Sequence, residues 1–168
     1  MARSGWLAAL VLAAAVAPAH AEDPPTPFDQ GRVSVDVAVT EQTAFDTSRF
    51  GVGAGAGYFV LDGLELGLFG MHMFGDGPGL DEVSPSVRYT AQPLFASWPV
   101  VPYVGGFYNH WFVGDGLPDV DAVGARAGVV RLSGRLLIGV GIAYEHTVST
   151  CSASCDTVYP DITFGFTF

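Results

Sequence analysis

The chain contains no lysine, and its seven basic residues are all arginines. Seventeen aspartates and glutamates give the 168 residues a formal net charge of −10 at pH 7. Proteins that bind nucleic acid need clustered lysines and arginines to neutralise phosphates. We therefore expect no nucleic-acid partner.

The chain also lacks an apolar run long enough for a transmembrane helix. The run from Trp6 to Val16 is shorter than the roughly 18 to 20 residues that such a helix needs, so an anchor is the weaker alternative. A basic residue, Arg3, precedes this run, and a segment ending in Ala19-His20-Ala21 follows it, as in a Sec signal peptide. We predict a signal peptide over residues 1–21, a short extended leader over 22–30 and a single domain over 31–168.

Cysteine is scarce, with Cys151 and Cys155 in the segment Cys-Ser-Ala-Ser-Cys. In an exported protein this pair favours a disulfide. Closing so small a loop stabilises the fold by about 2 kcal/mol in the chain-entropy model, which holds a loop in place. A metal site is the alternative, but two thiols without neighbouring ligands are a poor set for it. We predict a disulfide, no metal and no cofactor.

Alternation of large apolar with small or polar residues is abundant. In the last ten residues, Ile162, Phe164, Phe166 and Phe168 share one face, and Asp161, Thr163, Gly165 and Thr167 share the other. Similar alternation predicts eight strands, at 33–40, 50–60, 63–73, 84–94, 100–112, 122–132, 135–148 and 159–168. Each has about the length that a tilted strand needs to cross a bilayer.

The predicted connections alternate between long and short. The long ones are the polar segments 41–49, 74–83 and 113–121 and the cysteine loop after residue 148, whereas Asp62-Gly63 and Ser133-Gly134 predict tight hairpins. This alternation is typical of outer-membrane barrels. We therefore predict an all-β fold, an eight-stranded antiparallel up-and-down transmembrane β-barrel.

A soluble barrel with an apolar interior would show the same alternation. The polar face carries few charges, too few to keep a lysine-free barrel soluble, and its small residues suit a narrow interior. We also expect aromatic residues near the strand ends to form interfacial girdles. These residues are Trp98, Tyr103, Trp111, Tyr144, Tyr159 and Phe168.

Three segments carry a family resemblance: Tyr58 to Gly67, Val101 to Gly106, and the closing Phe164-Gly-Phe-Thr-Phe168. With the signal peptide, they make the chain resemble the small eight-stranded outer-membrane β-barrels of the OmpA/OmpX type. The resemblance implies that Phe164, Phe166 and Phe168 form the signal read by the barrel-assembly machinery. The resemblance predicts the barrel architecture well but says little about activity.

The predicted interior carries four acids, Asp36, Glu65, Glu145 and Asp161, and three arginines, Arg88, Arg126 and Arg135. Because an unpaired charge is costly in a low-dielectric interior, we expect them to pair. The first hypothesis is a structural salt-bridge network that plugs the barrel. The second is a narrow passive pore for small solutes or ions, which the glycine ladder at 51–57 favours by leaving free volume.

Two other site hypotheses are weaker. Glu145, His146 and Ser149 contain the residue types of lipid-modifying barrel enzymes, but alternation places Glu145 and His146 on opposite faces, so we predict no enzyme. The acidic loop residues favour a solvated edge, with weak divalent-cation binding as the alternative. These residues are Asp76, Asp81, Glu82, Asp115, Asp119 and Asp121.

Together these patterns predict an integral outer-membrane protein of a Gram-negative cell with a structural or surface-interaction role. Its expected partners are outer-membrane lipid and lipopolysaccharide, together with the barrel-assembly machinery. We expect it to be a monomer, with the outer loops as its contact sites.

Overall fold

The computed structural model describes residues 26–44, 47–94, 98–149 and 155–168. These residues form eight strands and one short 3-10 turn, Gln92–Leu94. The strands are β1 (Val33–Ala44), β2 (Thr47–Leu61), β3 (Leu64–Phe74), β4 (Leu80–Thr90), β5 (Val101–Val113), β6 (Val120–Ser133), β7 (Leu136–Thr147) and β8 (Asp156–Thr167). Each pairs antiparallel with its neighbours in the chain, and β8 pairs with β1 to close the barrel. The predicted fold class is confirmed.

In the part of the chain that the structure describes, no helix has the length and apolar character needed to cross a bilayer.

The two faces of the barrel wall follow the alternation of the sequence. On β7, Val140 is 54% exposed on the outside, whereas Leu137 is 1% exposed on the inside. The other strands repeat this arrangement, with small, polar or charged residues turned inward. Exposed apolar side chains on the outer face include Val35, Val52, Leu66, Leu68, Val87, Val104, Val129, Ile138, Ile142, Ile162 and Phe164. The apolar face is therefore the exterior, which excludes the soluble barrel with an apolar interior.

The predicted long loops are wrong in extent. The polar segment 41–49 is mostly strand, with Glu41 opposite Phe50 and Gln42 opposite Arg49 in the β1–β2 ladder. Likewise β4 begins at Leu80 and β6 at Val120, inside segments predicted as loops. Pairing within a hairpin satisfies the backbone hydrogen bonds whatever the side chains are. These strands can therefore extend into polar segments that show no alternation of apolar residues.

The barrel has two distinct ends. At the first, which we call the terminal end, β1 begins and β8 ends, and Phe168 N–H donates a 2.9 Å hydrogen bond to the Val33 carbonyl. At the opposite end, which we call the loop end, β1, β3, β5 and β7 end and β2, β4, β6 and β8 begin. The end of β4 and the start of β5 lie at the terminal end.

The seam between β1 and β8 is paired over only part of its length. Its ladder runs from Ser34 opposite Thr167 to Val37 opposite Phe164. On its other side, β8 stays paired with β7 as far as His146 opposite Asp156. The loop-end portions of β1 and β8 are thus not paired with each other, and this portion of β8 contains Pro160, which has no N–H to donate.

The described part of the predicted leader forms a cap under the terminal end. Gly63 N–H donates to the Phe28 carbonyl at 2.7 Å, and Gly31 N–H donates to the Phe59 carbonyl at 2.8 Å. Gln30 N–H donates to Asp62 Oδ1 at 2.8 Å. Residues 26–30 of the predicted extended leader, 22–30, therefore form a turn-rich segment against the barrel, and the predicted signal peptide, 1–21, lies outside the described residues.

Candidate functional site: the barrel interior

An apolar cluster, which we call the plug, lies inside the barrel at the terminal end. Phe28, from the cap, is 3% exposed, and its ring meets the Phe59 ring edge-on at 5.9 Å. The other members of the plug are Val101, Tyr103, Val130 and Leu137, with Leu132 packed against them. Apolar side chains packed in this way bury one another at the terminal end.

An ionic layer lies next to the plug. Glu65 and Arg88 are directly opposite in the β3–β4 ladder, so both side chains point inward at the same height. Arg88 Nη2 lies 2.6 Å from Glu65 Oε2, and Arg88 Nε donates to the same oxygen at 2.7 Å. The other carboxylate oxygen, Oε1, accepts a hydrogen bond from Ser34 Oγ. Glu65 thus has a partner at each oxygen, as a buried carboxylate requires.

The other charged residues predicted for the interior use neutral partners. Tyr103 donates its hydroxyl to Asp161 Oδ2 at 2.6 Å, and Asn109 Nδ2 donates to Glu145 Oε2 at 2.7 Å. Arg126 lies over the Phe107 ring, 4.8 Å from its centroid. Among the described residues, the Glu65–Arg88 ion pair faces inward, whereas Glu145 and Asp161 are hydrogen-bonded to neutral side chains. Beyond this pair, the salt-bridge network that the charge count suggested stays a prediction.

Arg135 does not belong to this interior. It lies between β6, which ends at Ser133, and β7, which begins at Leu136, and its side chain is exposed. The preceding Gly134 has a φ of 64°, as a tight turn at this point requires. Strand alternation cannot be extended through such a turn, which is why the predicted inward direction of Arg135 is wrong.

Asp36 is on the inner face as predicted, but its Oδ1 is buried without a hydrogen-bond partner. Its close neighbour is Gly165, opposite it in the β1–β8 ladder. A Cβ added to Gly165 would collide with Asp36 Oδ1. Glycine at position 165 therefore makes room for the carboxylate.

Sequence reasoning missed several inner residues. Glu82, predicted in an acidic loop, points inward from β4 and is 7% exposed. Tyr103, Trp111 and Tyr159, predicted in the girdles, also face inward. Residues two apart on a strand share a face, so the inward Arg88 predicts an inward Glu82, and the inward Asp161 predicts an inward Tyr159.

Of the other predicted girdle residues, Tyr144 and Phe168 are exposed on the outer face and Trp98 is exposed near the terminal end.

Between the ionic layer and the loop end lies a cavity of about 820 Å³. Its charged lining consists of Asp36, Glu82, Arg88, Arg126, Glu145 and Asp161. Towards the loop end it is bounded by an apolar ring, made of Met71, Met73, Leu80, Trp111, Val113 and Val120. Val39 and Ile162, which face outward beside the seam, also line it. The cavity therefore reaches through the unpaired part of the β1–β8 seam.

Among the described residues, three of the histidine–aspartate pairs join neighbouring strands on the outer face near the loop end. Each joins directly opposite residues of a hairpin: His72 to Asp81, His110 to Asp121 and His146 to Asp156. The Nδ1 to Oδ1 distances are 2.7, 2.7 and 2.8 Å. Tyr108 and Tyr144 donate their hydroxyls to Asp121 and Asp156. Exposed apolar residues continue beyond these pairs, at Phe74, Phe112 and Val148.

Comparison with solved structures supports this architecture. The N-terminal β-barrel domain of Pseudomonas aeruginosa OprF is 17% identical, with a TM-score of 0.62 over 83% of this chain and 98% of that chain. Neisserial surface protein A is 18% identical, with a TM-score of 0.53 over 81% of this chain and 94% of that chain. The chain has the fold of the small outer-membrane β-barrels. No protein-family model matches it, and no curated protein matches it either.

On this outer-membrane barrel fold, the residues considered for catalysis do not converge. Glu145 points into the cavity, whereas His146 points outward and contacts Asp156. Ser149 Oγ accepts a 3.2 Å hydrogen bond from Asp121 N–H. These positions confirm that alternation separates Glu145 from His146.

The acidic residues predicted at the outer edge of the barrel are also spread apart. Asp81 and Asp121 are engaged by histidines on the outer face, and Glu82 faces the cavity. Among the described residues, no group of three or more histidine, cysteine or acidic side chains could hold a metal ion. Cys151 lies outside the described residues, so its disulfide with Cys155 stays a prediction.

Proposed function

We propose that the protein is an integral barrel of the outer membrane of a Gram-negative cell. The observation that carries the proposal is the continuous apolar outer face, which would be an unusually large exposed patch on a soluble protein. On β7 this face runs from Leu136 to His146, roughly 33 Å along the strand and about 25 Å after a strand tilt of about 40°. That height matches the apolar band of outer-membrane barrels.

Within the membrane we assign the protein a structural or surface-interacting role and no enzymatic one. The plug around Phe28 and the ion pair of Glu65 with Arg88 support a closed lumen. With the terminal end in the periplasm, the loop end faces outward. The surface that contacts partners there consists of hairpin ends more than of long loops.

The proposed partners are lipid and lipopolysaccharide, which contact the apolar outer face, and the barrel-assembly machinery, which acts during insertion. Phe164 and Phe166 are exposed on the outer face of β8, and Phe168 follows them at the terminal end. An alternating aromatic strand in this position is suited to recognition by the assembly machinery. We propose a monomer, because every strand of the closed barrel already has two neighbours.

The proposal can be tested on the refolded protein. A folded barrel should migrate differently on a gel before and after boiling, and its insertion into a planar bilayer should give no stable openings. Protein that migrates identically in both states would contradict the membrane-barrel architecture. Folded protein with reproducible single-channel openings would contradict the closed lumen.

A narrow passive pore is the second candidate, and the cavity supports it. The cavity of about 820 Å³ already occupies part of the lumen. The plug depends on Phe28, which belongs to the cap and not to the barrel wall. Movement of the cap would withdraw the Phe28 ring from the plug. If the protein is a pore, its single-channel openings should therefore depend on Phe28.

A further inference from the structure

The cavity holds more carboxylates than guanidinium groups to pair with them. Asp36, Glu82, Glu145 and Asp161 line it with Arg88 and Arg126. Arg88 is bonded to Glu65 and also attracts Asp36, so Arg126 is the guanidinium group of this lining that faces the remaining carboxylates. Glu82 interacts electrostatically with both Glu145 and Arg126, so the two glutamates repel each other across the cavity.

Several buried polar atoms of this cavity have no partner. The Glu82 side chain is more than nine-tenths buried, and it forms no hydrogen bond or ion pair with any residue that the structure describes. Asn109 is also more than nine-tenths buried, and its Oδ1 accepts no hydrogen bond although its Nδ2 donates to Glu145. Asp36 Oδ1 is likewise unpartnered. All three are acceptors, so the group that would satisfy them is a donor or a cation.

The other side of the cavity is apolar. The ring at the loop end contributes Met71, Met73 and Trp111, among others. At the seam the lining includes Val39 and Ile162, which face the lipid side. A molecule held here would thus meet acceptors at one end and hydrocarbon at the other, with an opening to lipid beside it.

We propose that the cavity binds an amphiphilic organic cation, with its ammonium group beside Glu82 and Glu145 and its apolar chain directed towards the β1–β8 seam. A volume of about 820 Å³ is in the range of small-molecule sites. The cation would offset the repulsion between the two glutamates, and the rings of Trp111 and Tyr159 offer it further attraction. This site goes beyond the proposed closed-lumen barrel, since it requires no passage through the plug.

The test uses three probes with the same ten-carbon chain: decylammonium, decanol and decanoate. Each is titrated calorimetrically into the protein in lipid nanodiscs, with empty nanodiscs subtracted. We expect saturable one-site binding of decylammonium, weaker binding of decanol and none of decanoate. Glu82→Gln should weaken binding of the cation about tenfold, the effect of losing one charge-assisted contact.

Asp81→Asn is the matched control, because it removes a neighbouring negative charge that faces outward and contacts His72. It should leave the affinity for decylammonium unchanged. If Glu82→Gln does not refold, as judged by gel mobility, Glu145→Gln takes its place with the same expectation. Equal affinities in wild type and the glutamate variant, or equal uptake of all three probes, would overturn the proposal.

Discussion

Arg88 Nη2 lies 2.6 Å from Glu65 Oε2, and the two residues are directly opposite in the β3–β4 ladder. Both side chains are largely buried, with 13% and 4% of their surface exposed. Removing one partner would leave the other charge buried and uncompensated. The stability of the barrel should therefore depend strongly on this pair.

We predict that Glu65→Gln lowers the free energy of unfolding by about 3 kcal/mol. Urea titration of the protein in lipid vesicles, followed by tryptophan fluorescence, would measure it. The double variant Glu65→Gln with Arg88→Gln removes both charges and should recover part of the loss. If the double variant loses as much free energy of unfolding as Glu65→Gln and Arg88→Gln lose together, the two side chains are not coupled.

The outer His146–Asp156 pair should contribute much less. Its side chains are 46% and 58% exposed, and solvent screens exposed pairs of this kind. We predict that His146→Ala changes the free energy of unfolding much less than Glu65→Gln does in the same vesicles. A loss as large as that of Glu65→Gln would mean that the pair is shielded from water.

Glycine at position 57 is required by the ionic layer. A Cβ at this position would collide with Glu65 Oε1 and crowd Ser34 Oγ. We predict that Gly57→Ala destabilises the barrel by about 1 to 3 kcal/mol, as overpacking does. The matched control is Gly70→Ala, whose nearest neighbour would be the Glu82 carbonyl oxygen at 3.6 Å, an ordinary contact. Equal melting temperatures for the two variants would contradict this arrangement.

Phe28 should keep the lumen closed at the terminal end. We predict that Phe28→Ala raises the frequency of single-channel openings in a planar bilayer, because it removes one ring of the plug. Phe164→Ala serves as the control, since it removes the same side chain from the outer face. If the protein is a pore, the wild type should already show openings, and Phe28→Ala should make them more frequent. If the lumen is closed, openings should appear only in the variant.

Deletion of Phe168 should impair insertion more than it impairs the stability of protein already inserted. The residue joins the seam through two hydrogen bonds with Val33, of 2.9 and 3.3 Å. Because the seam ladder is short, some loss of stability is expected as well. Refolding yield into vesicles and the melting temperature of the purified barrel would separate the two effects. A normal yield with a lowered melting temperature would contradict the proposed assembly signal.

The number of strands and the direction of most side chains followed from alternation, because the pleat of a strand forces a period of two. Asp36, Glu65, Arg88 and Arg126 all face inward for this reason. Alternation failed at Arg135, where a turn interrupts the period, and at Glu82, where a polar stretch concealed the start of β4. Each error arose at a predicted strand boundary.

Two features of the interior could not be read from the sequence. The short ladder between β1 and β8 depends on how the first and last strands meet, and no local pattern encodes that register. The insertion of Phe28 under the barrel joins an apparently extended leader to Phe59, a residue of β2. Both are long-range contacts, and both shape the cavity and its closure.

The central claim is that the apolar face of the barrel wall lies in lipid, and nitroxide scanning of β7 tests it most directly. Single labels from Leu137 to Ala143 would be introduced after Cys151 and Cys155 are replaced by serine, and their accessibility to oxygen measured in vesicles. We predict high accessibility at Ile138, Val140 and Ile142 and low accessibility at the odd-numbered positions between them. Accessibility without a period of two, or with maxima at the odd-numbered positions, would contradict the account.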